Sequence, residues 1–445
     1  VQPSLYLLHS KGADSMEVAT QLAQSALRAL VQLAAQPFYI LGIVFVLLQY
    51  RRQILLERQL FMTRLHSLFD TAWKTVLWGI VAGVAASFVM AFIGATVPAG
   101  ILIWLWVVSA ILALFRVRFI CLAYSVGLLS ILHVIVQALP SLADIPYLGA
   151  AVEPLRFMPV SSMLALVGVL HLLEALFVGK QGADMALPVF VEGKRGKVIG
   201  GYQLQQYWPV PLLLLVPVQA GAGSAALPWT PLFGGDAWSA GWTFAALPVM
   251  LGFAEMTTTR LPRVKAKRSA RLLFVYALVV LALAAAAEWL PGFVIVGAIA
   301  VIGLHEALLL WSRRDEAVAP PYFVHDSQGL KILGVLPGGP ADEMGLLPGE
   351  IIHKANGTKV RTKEELHEAL RQNGAAFCKL EVINTDGHTK FVQRALYAGE
   401  HHLLGIILSP DDKSMYVLRQ RNVNWFTAAQ RKKALLSEGD SSRTM

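Results

Sequence analysis

Apolar positions along this chain follow two regimes. From about residue 30 to residue 311 they form long runs nearly free of charge, separated by short basic connections; from Pro320 onward they alternate with polar positions between Gly and Pro turns. A bilayer core of about 30 Å needs roughly 20 apolar residues per helix, because each adds about 1.5 Å and no water is present to pair with a bare backbone group. Residues 76–97, 119–139, 160–178, 272–290 and 292–311 meet that length. Residues 99–115 are slightly short, bounded by Pro98 and Gly100 on one side and by Arg116 and Arg118 on the other, and read as a further span. The first span centres on 38–48. The preceding stretch 22–35 carries Arg28, Gln32 and, just beyond it, Gln36 at helical spacing; it is either an interfacial helix or the outer part of one long span.

Two runs carry internal prolines. Residues 208–222 hold Pro209, Pro211 and Pro217, and 242–256 hold Pro248; each is read as a span or as half of a re-entrant pair. The count is therefore nine spans, or seven if these two are re-entrant. The domain reading is a poorly ordered N-terminus (1–20), a polytopic α-helical membrane domain (21–312), a small soluble module (320–410) and a basic tail (411–445).

The soluble module alternates strand, turn and helix. Gly329 to Leu336 alternates as a half-buried strand and Pro337-Gly338-Gly339-Pro340 stops it; a short helix at 341–344 closes on Gly345. Ile351 to Ala355 makes a second strand, Asn356-Gly357 a tight hairpin turn, and Thr362 with Glu365 a capping box for a helix faced by Leu366, Ala369 and Leu370. Residues 379–384 and 389–394 form a hairpin through Asp386-Gly387.

Composition sharpens this picture. With 56% hydrophobic and 15% charged residues, an ordinary cytosolic enzyme is excluded. The net charge of +9 could point to nucleic acid, but the cations sit between apolar runs, so the partner is a lipid bilayer and no nucleic acid is implied. One set of connections holds Arg51, Arg52, Arg58, Arg64 and Lys74, then Arg116 and Arg118, then Lys180, Lys194, Arg195 and Lys197, then Arg260 to Arg271; the opposite set holds essentially Arg156. The basic set is cytoplasmic by this rule, and so is everything after Arg314. Cys121 and Cys378 cannot make a disulfide framework. No cleavage pattern precedes the first span, which is expected to stay as an anchor.

The run Gly334-Val335-Leu336-Pro337-Gly338-Gly339-Pro340-Ala341, with Gly345-Leu346, Gly349-Glu350-Ile351-Ile352 and Asn356-Gly357, resembles a bacterial, permuted PDZ domain, with Glu350 where the family usually has Asp. The resemblance implies a small β-barrel with two helices that captures an extended or C-terminal peptide by strand addition. Leu403-Leu404-Gly405-Ile406 matches the family's carboxylate loop and is alternatively a plain edge strand; Leu366 and Leu370 are groove walls or core. Over about residues 30–410 the chain is similar to MinJ-type division-topology proteins, in His171-Leu172-Leu173-Glu174, Gly196-Lys197-Val198-Ile199-Gly200-Gly201, Trp208-Pro209-Val210-Pro211 and His401-His402. That resemblance implies a membrane adaptor at poles and septa bridging DivIVA-like proteins to MinD-like and MinC-like partners, with no cofactor.

Membrane PDZ proteins are often proteases, but the protease motifs in this chain are incomplete. His305-Glu306 begins H-E-x-x-H but position 309 is Leu. His171 and Glu174, with His133 and His305, form either a metal site inside the bundle or ordinary intramembrane pairs. No serine elbow or phosphate loop is present, and no catalytic residue is assigned. The alternatives are an intramembrane protease or protease regulator and a transporter regulated by the PDZ module. Arg419, Arg421, Arg431, Lys432 and Lys433 with Trp425 and Phe426 are a solvated tail or a lipid-binding helix.

Overall fold

The computed structural model describes residues 20–411, except 21, 22, 25, 34, 62–66, 195, 218–228, 230, 234–240, 326, 327, 373–376 and 396–403. The N-terminal stretch 1–15, the loop residues His401, His402 and Leu403, and the basic tail lie outside the described residues.

The membrane region consists of α1 (Pro37–Phe61), α2 (Leu68–Ile93), α3 (Ala99–Phe115), α4 (Leu122–Ala138), the short α5 (Leu148–Arg156), α6 (Val160–Gln181), α7 (Pro262–Trp289) and α8 (Phe293–Val318). Among the described residues, five helices (α1, α2, α6, α7 and α8) are long and apolar enough to cross a bilayer, and α3 and α4 are shorter apolar helices. α6 is the axis of the bundle, with 78% of its apolar window buried, against 22–39% for the other four. Their outward faces carry Phe69, Trp73, Val84 and Phe88 on α2 and Val275 and Leu278 on α7, all exposed. Large apolar groups outside and small ones inside are the arrangement of helices solvated by lipid.

The two proline-bearing runs are not helices. Residues 208–217 and 242–256 belong to β2 (Val198–Pro217) and β3 (Trp242–Thr257), which pair antiparallel from Tyr202↔Thr257 to Pro217↔Trp242, with β1 (Leu187–Glu192) on the outer part of β2. Nine helical spans is thereby corrected. Burial on both faces is the reason: Leu204, Trp208, Val210, Leu212 and Leu214 on one face are all within 1% of complete burial and Pro209, Pro211 and Leu215 on the other are buried too, so the strand shows the unbroken apolar run of a span.

A strand at membrane depth must hide its edge from lipid. β2 lays its edge on α2, where Gly79, Gly83 and Ser87 follow one another at helical spacing. A Cβ on Gly79 or Gly83 would overlap the carbonyls of Pro209 and Pro211, so only glycine admits this approach. Those two carbonyls point away from β3, and the amide of a strand residue points the same way as its carbonyl. Proline at 209 and 211 therefore deletes two donors that would have had no partner. The next donor on that edge, Leu213 N–H, is accepted by Ser87 Oγ at 2.8 Å. Pro248 lies opposite Pro211 in the register, so no ladder bond is lost there either.

The second sheet has the order β8-β7-β5-β4-β9, with β6 on β5, built from β4 (Leu330–Val335), β5 (Ile351–Ala355), β6 (Thr358–Lys359), β7 (Phe377–Ile383), β8 (Thr389–Ala395) and β9 (Ile406–Leu408), plus α9 (Pro340–Glu343) and α10 (Lys363–Gln372). The local signals hold. Asn356 and Gly357 take φ +50° and +87° in the β5–β6 turn. Glu365 N–H donates to Thr362 Oγ1 at 3.1 Å while its carboxylate accepts from Arg361 N at 2.6 Å and Thr362 N at 3.3 Å.

Candidate functional site

β9 is the terminal strand of its sheet, and its hydrogen bonds fix which way its edge faces. Gly405 adopts φ +75°, open to glycine and strained for other residues. Ala341 N–H donates to Leu404 O at 2.9 Å and Leu336 N–H to Gly405 O at 2.8 Å. In a trans peptide the following N–H points opposite to the carbonyl, so the amides of Gly405 and Ile406 face away from α9 and β4. Farther along, Ser409 N–H donates inward to Lys331 O at 2.9 Å, and Leu408 pairs with Ile332. By antiparallel alternation Ile406 and Leu408 turn their backbone groups to the outer edge. The edge thus offers two adjacent amides at a glycine turn, followed by strand donors and acceptors, the chemistry that an extended peptide ending in a carboxylate uses.

The other sequence-assigned residues sit behind this edge. Leu366 and Leu370 are 5% and 4% exposed and pack with Leu330, Ile332, Ala341, Leu380 and Leu404 in the module's core. Ile406 is half-buried against the same cluster. Glu350, the departure from the usual Asp, is 2% exposed; its carboxylate accepts from Leu347 N at 2.9 Å and pairs with Lys390 at 2.6 Å, so the longer side chain still closes the 347–350 turn. Burial raises the Cys378 thiol to about 11.

The module is seated on the membrane region. Gly200 N–H on β2 donates to Phe323 O at 3.0 Å, Tyr322 N–H donates to Thr258 O at 2.8 Å, and the Tyr202 hydroxyl donates to Leu333 O. Phe323 is fully buried, and Leu333 and Ile407 of the module join the main hydrophobic cluster of the bundle. Beside this seat Lys265 of α7, 2% exposed, lies 3.0 Å from Glu255 of β3 and 3.3 Å from Glu316 of α8, while Arg260 and Arg268 pair with Asp315 at 2.6 and 3.0 Å.

Of the intramembrane polar residues, the fold brings together His171, Glu174 and His305 and leaves out His133, whose Nδ1 donates to Leu155 O at 2.7 Å. Cys121 joins them, with Sγ 3.3 Å from His171 Nε2 and 3.8 Å from His305 Nε2. The sequence placed Cys121 only in an apolar run; its partners come from two other helices, a proximity no local spacing encodes. Glu306 is held by Tyr124 (2.7 Å) and Arg118 (3.1 Å), away from the position a zinc-protease glutamate would need beside paired histidines.

Several apolar membrane helices followed by a small sheet with an open terminal edge define a membrane protein with a C-terminal PDZ domain, and the PDZ family model matches residues 331–384. The chain is similar to the cell division topological determinant MinJ of Bacillus subtilis strain 168, 32% identical over 387 residues, covering 84% of this chain and 92% of that one. It is also similar to a probable cell division topological determinant MinJ of Lacticaseibacillus paracasei, 30% identical over 260 residues, 57% of this chain and 66% of the relative. The chain belongs to the MinJ family of cell division topological determinants. No solved structure matches it.

Proposed function

We propose that this protein is a membrane-anchored adaptor rather than an enzyme, whose PDZ module lies in the cytoplasm and recruits division proteins at septa and poles, bridging a DivIVA-like protein to MinD-like partners. The observation that carries the reading is the β9 edge, where Gly405 and Ile406 direct adjacent amides outward and Leu408 continues the strand. Residues Leu404, Gly405 and Ile406 receive the peptide terminus, and Leu366 and Leu370 back the groove from the core. The cytoplasmic side follows from the basic connections around 51–74, 116–118, 180–197 and 260–271.

The test uses the full chain in nanodiscs, because Leu333, Ile407 and Phe323 would be laid bare in an isolated module. Ile406→Pro removes a donor that the ladder with β4 does not use. Binding of a DivIVA-like or MinD-like partner should weaken about tenfold or more, the worth of roughly one hydrogen bond of 1.4 kcal/mol, while the melting curve retains its cooperativity. Partner binding unchanged in this variant would remove the groove from the proposal, and protection of the module from added protease in sealed inverted membrane vesicles, whose cytoplasmic face is outward, would reverse its orientation.

A further inference from the structure

Between the membrane helices, three groups that carry lone pairs face one another, and a carboxylate lies beside one of them. Cys121 directly precedes α4, His171 and Glu174 lie one turn apart on α6, and His305 lies on α8. His171 Nε2 is 3.8 Å from Glu174 Oε2, and the thiol sulfur and the two imidazoles place ligand atoms within 4.8 Å of one another. His171, Glu174 and His305 are 2%, 8% and 8% exposed.

The imidazole tautomers are fixed from behind. His171 Nδ1 lies 2.8 Å from the Val167 carbonyl, which only accepts, so Nδ1 holds the proton and Nε2 a lone pair. His305 Nδ1 lies 3.1 Å from the Tyr124 hydroxyl, whose own proton goes to Glu306 Oε1 at 2.7 Å, with Arg118 on the same carboxylate. The tyrosine oxygen therefore accepts from His305 Nδ1, and His305 Nε2 is also a bare acceptor. The single thiol proton of Cys121 can serve one of these nitrogens, which leaves the other imidazole facing the sulfur with a lone pair. A bound cation resolves that conflict at once.

We propose that this cluster is a structural zinc site, with Cys121 Sγ, His171 Nε2 and His305 Nε2 as three ligands already assembled and a Glu174 oxygen, 3.8 Å from His171 Nε2, turning in as the fourth. With Zn–S of about 2.3 Å and Zn–N of about 2.0 Å, a tetrahedron has edges of about 3.3–3.6 Å, close to the 3.3, 3.8 and 3.8 Å separations in place. Binding exchanges the Cys121 S–H bond for an S–Zn bond and releases the proton to solvent. Thiolate and carboxylate then balance the two positive charges, so the set is neutral, as a low-dielectric interior requires. A thiolate with two imidazoles selects zinc over magnesium or calcium, which take oxygen ligands. The Val167 carbonyl and the Tyr124–Glu306–Arg118 chain supply the outer hydrogen bonds that orient metal-bound histidines. The ion ties α4, α6 and α8 together, so binding adds to folding stability.

The test is elemental analysis of the full-length protein purified in detergent without chelator. One zinc per chain is expected, falling at least tenfold in Cys121→Ser and His171→Ala and unchanged in His133→Ala, a histidine of the same bundle outside the cluster. Should the ligand variants fail to fold, cobalt(II) exchanged into the wild type must show tetrahedral visible bands with thiolate-to-metal charge transfer. Folded protein that takes up no zinc on titration, zinc retained in both ligand variants, or a cobalt spectrum without the thiolate band overturns the site.

Discussion

Glu350 shows what one buried charge does in the PDZ module. Its carboxylate holds the Leu347 amide and the Lys390 ammonium, so Glu350→Ala strands both and should destabilise the module by about 2 kcal/mol. Cys378 provides the readout. It is fully buried on β7, and because burial disfavours the thiolate its thiol is raised to about 11, so at pH 8 it should resist alkylation while the module is closed. Peptide-resolved labelling by mass spectrometry should find Cys378 modified roughly 30-fold faster in Glu350→Ala, the factor that about 2 kcal/mol implies. Equal rates would mean that Glu350 holds nothing the fold needs. At this scale the sequence was informative wherever chemistry is local: Asn356-Gly357, Thr362 with Glu365 and the glycine at 405 each act within a few residues of themselves. It was silent on Cys121, whose neighbours His171 and His305 lie 50 and 184 positions away.

Among elements, the hairpin of β2 and β3 was the part the chain concealed. A strand buried on both faces and a membrane helix present the same apolar run, and length does not separate them when the strand has 20 residues. The usable signal was the spacing of Pro209 and Pro211, two apart, which puts both on one edge of a strand and on no common face of a helix. Its counterpart is the Gly79, Gly83, Ser87 row on α2. Gly79→Ala should cost about 2–3 kcal/mol despite alanine's better helix propensity, since the new methyl meets the Pro209 backbone rather than a movable side chain. Ser87→Ala should cost about 1–3 kcal/mol by leaving Leu213 N–H without its acceptor. Ala85→Leu, on the exposed side of the same helix, is the control and should leave thermal unfolding in detergent unchanged. If all three variants melt alike, the helix does not seal the strand edge.

For the whole molecule, the question is how the bundle and the PDZ module hold each other. The basic stretch 260–271 was read as cytoplasmic charge by count alone, yet three of its cations, Arg260, Lys265 and Arg268, are spent on three anions, Glu255, Asp315 and Glu316. Positive charge here joins β3, α7 and α8, something the count could not reveal. Glu316 further accepts from Thr258 N–H at 3.2 Å, and the Thr258 carbonyl accepts from Tyr322 at the entrance of the module. Lys265→Met leaves two cations against three anions, with Glu255 and Glu316, only 11% and 15% exposed, facing a vacated partner; the loss should be about 3 kcal/mol. Adding Glu255→Gln restores two against two, so the double variant should be more stable than the single one. Hydrogen exchange gives the decisive map: in Lys265→Met the amides of Thr258, Tyr322 and the Gly200–Phe323 bridge should exchange faster, and in the double variant they should return toward wild type. A single variant whose exchange changes only within α7 and α8 would mean that the network stabilises the bundle without governing the seat of the module, leaving the Phe323, Leu333 and Ile407 contact to hold it alone.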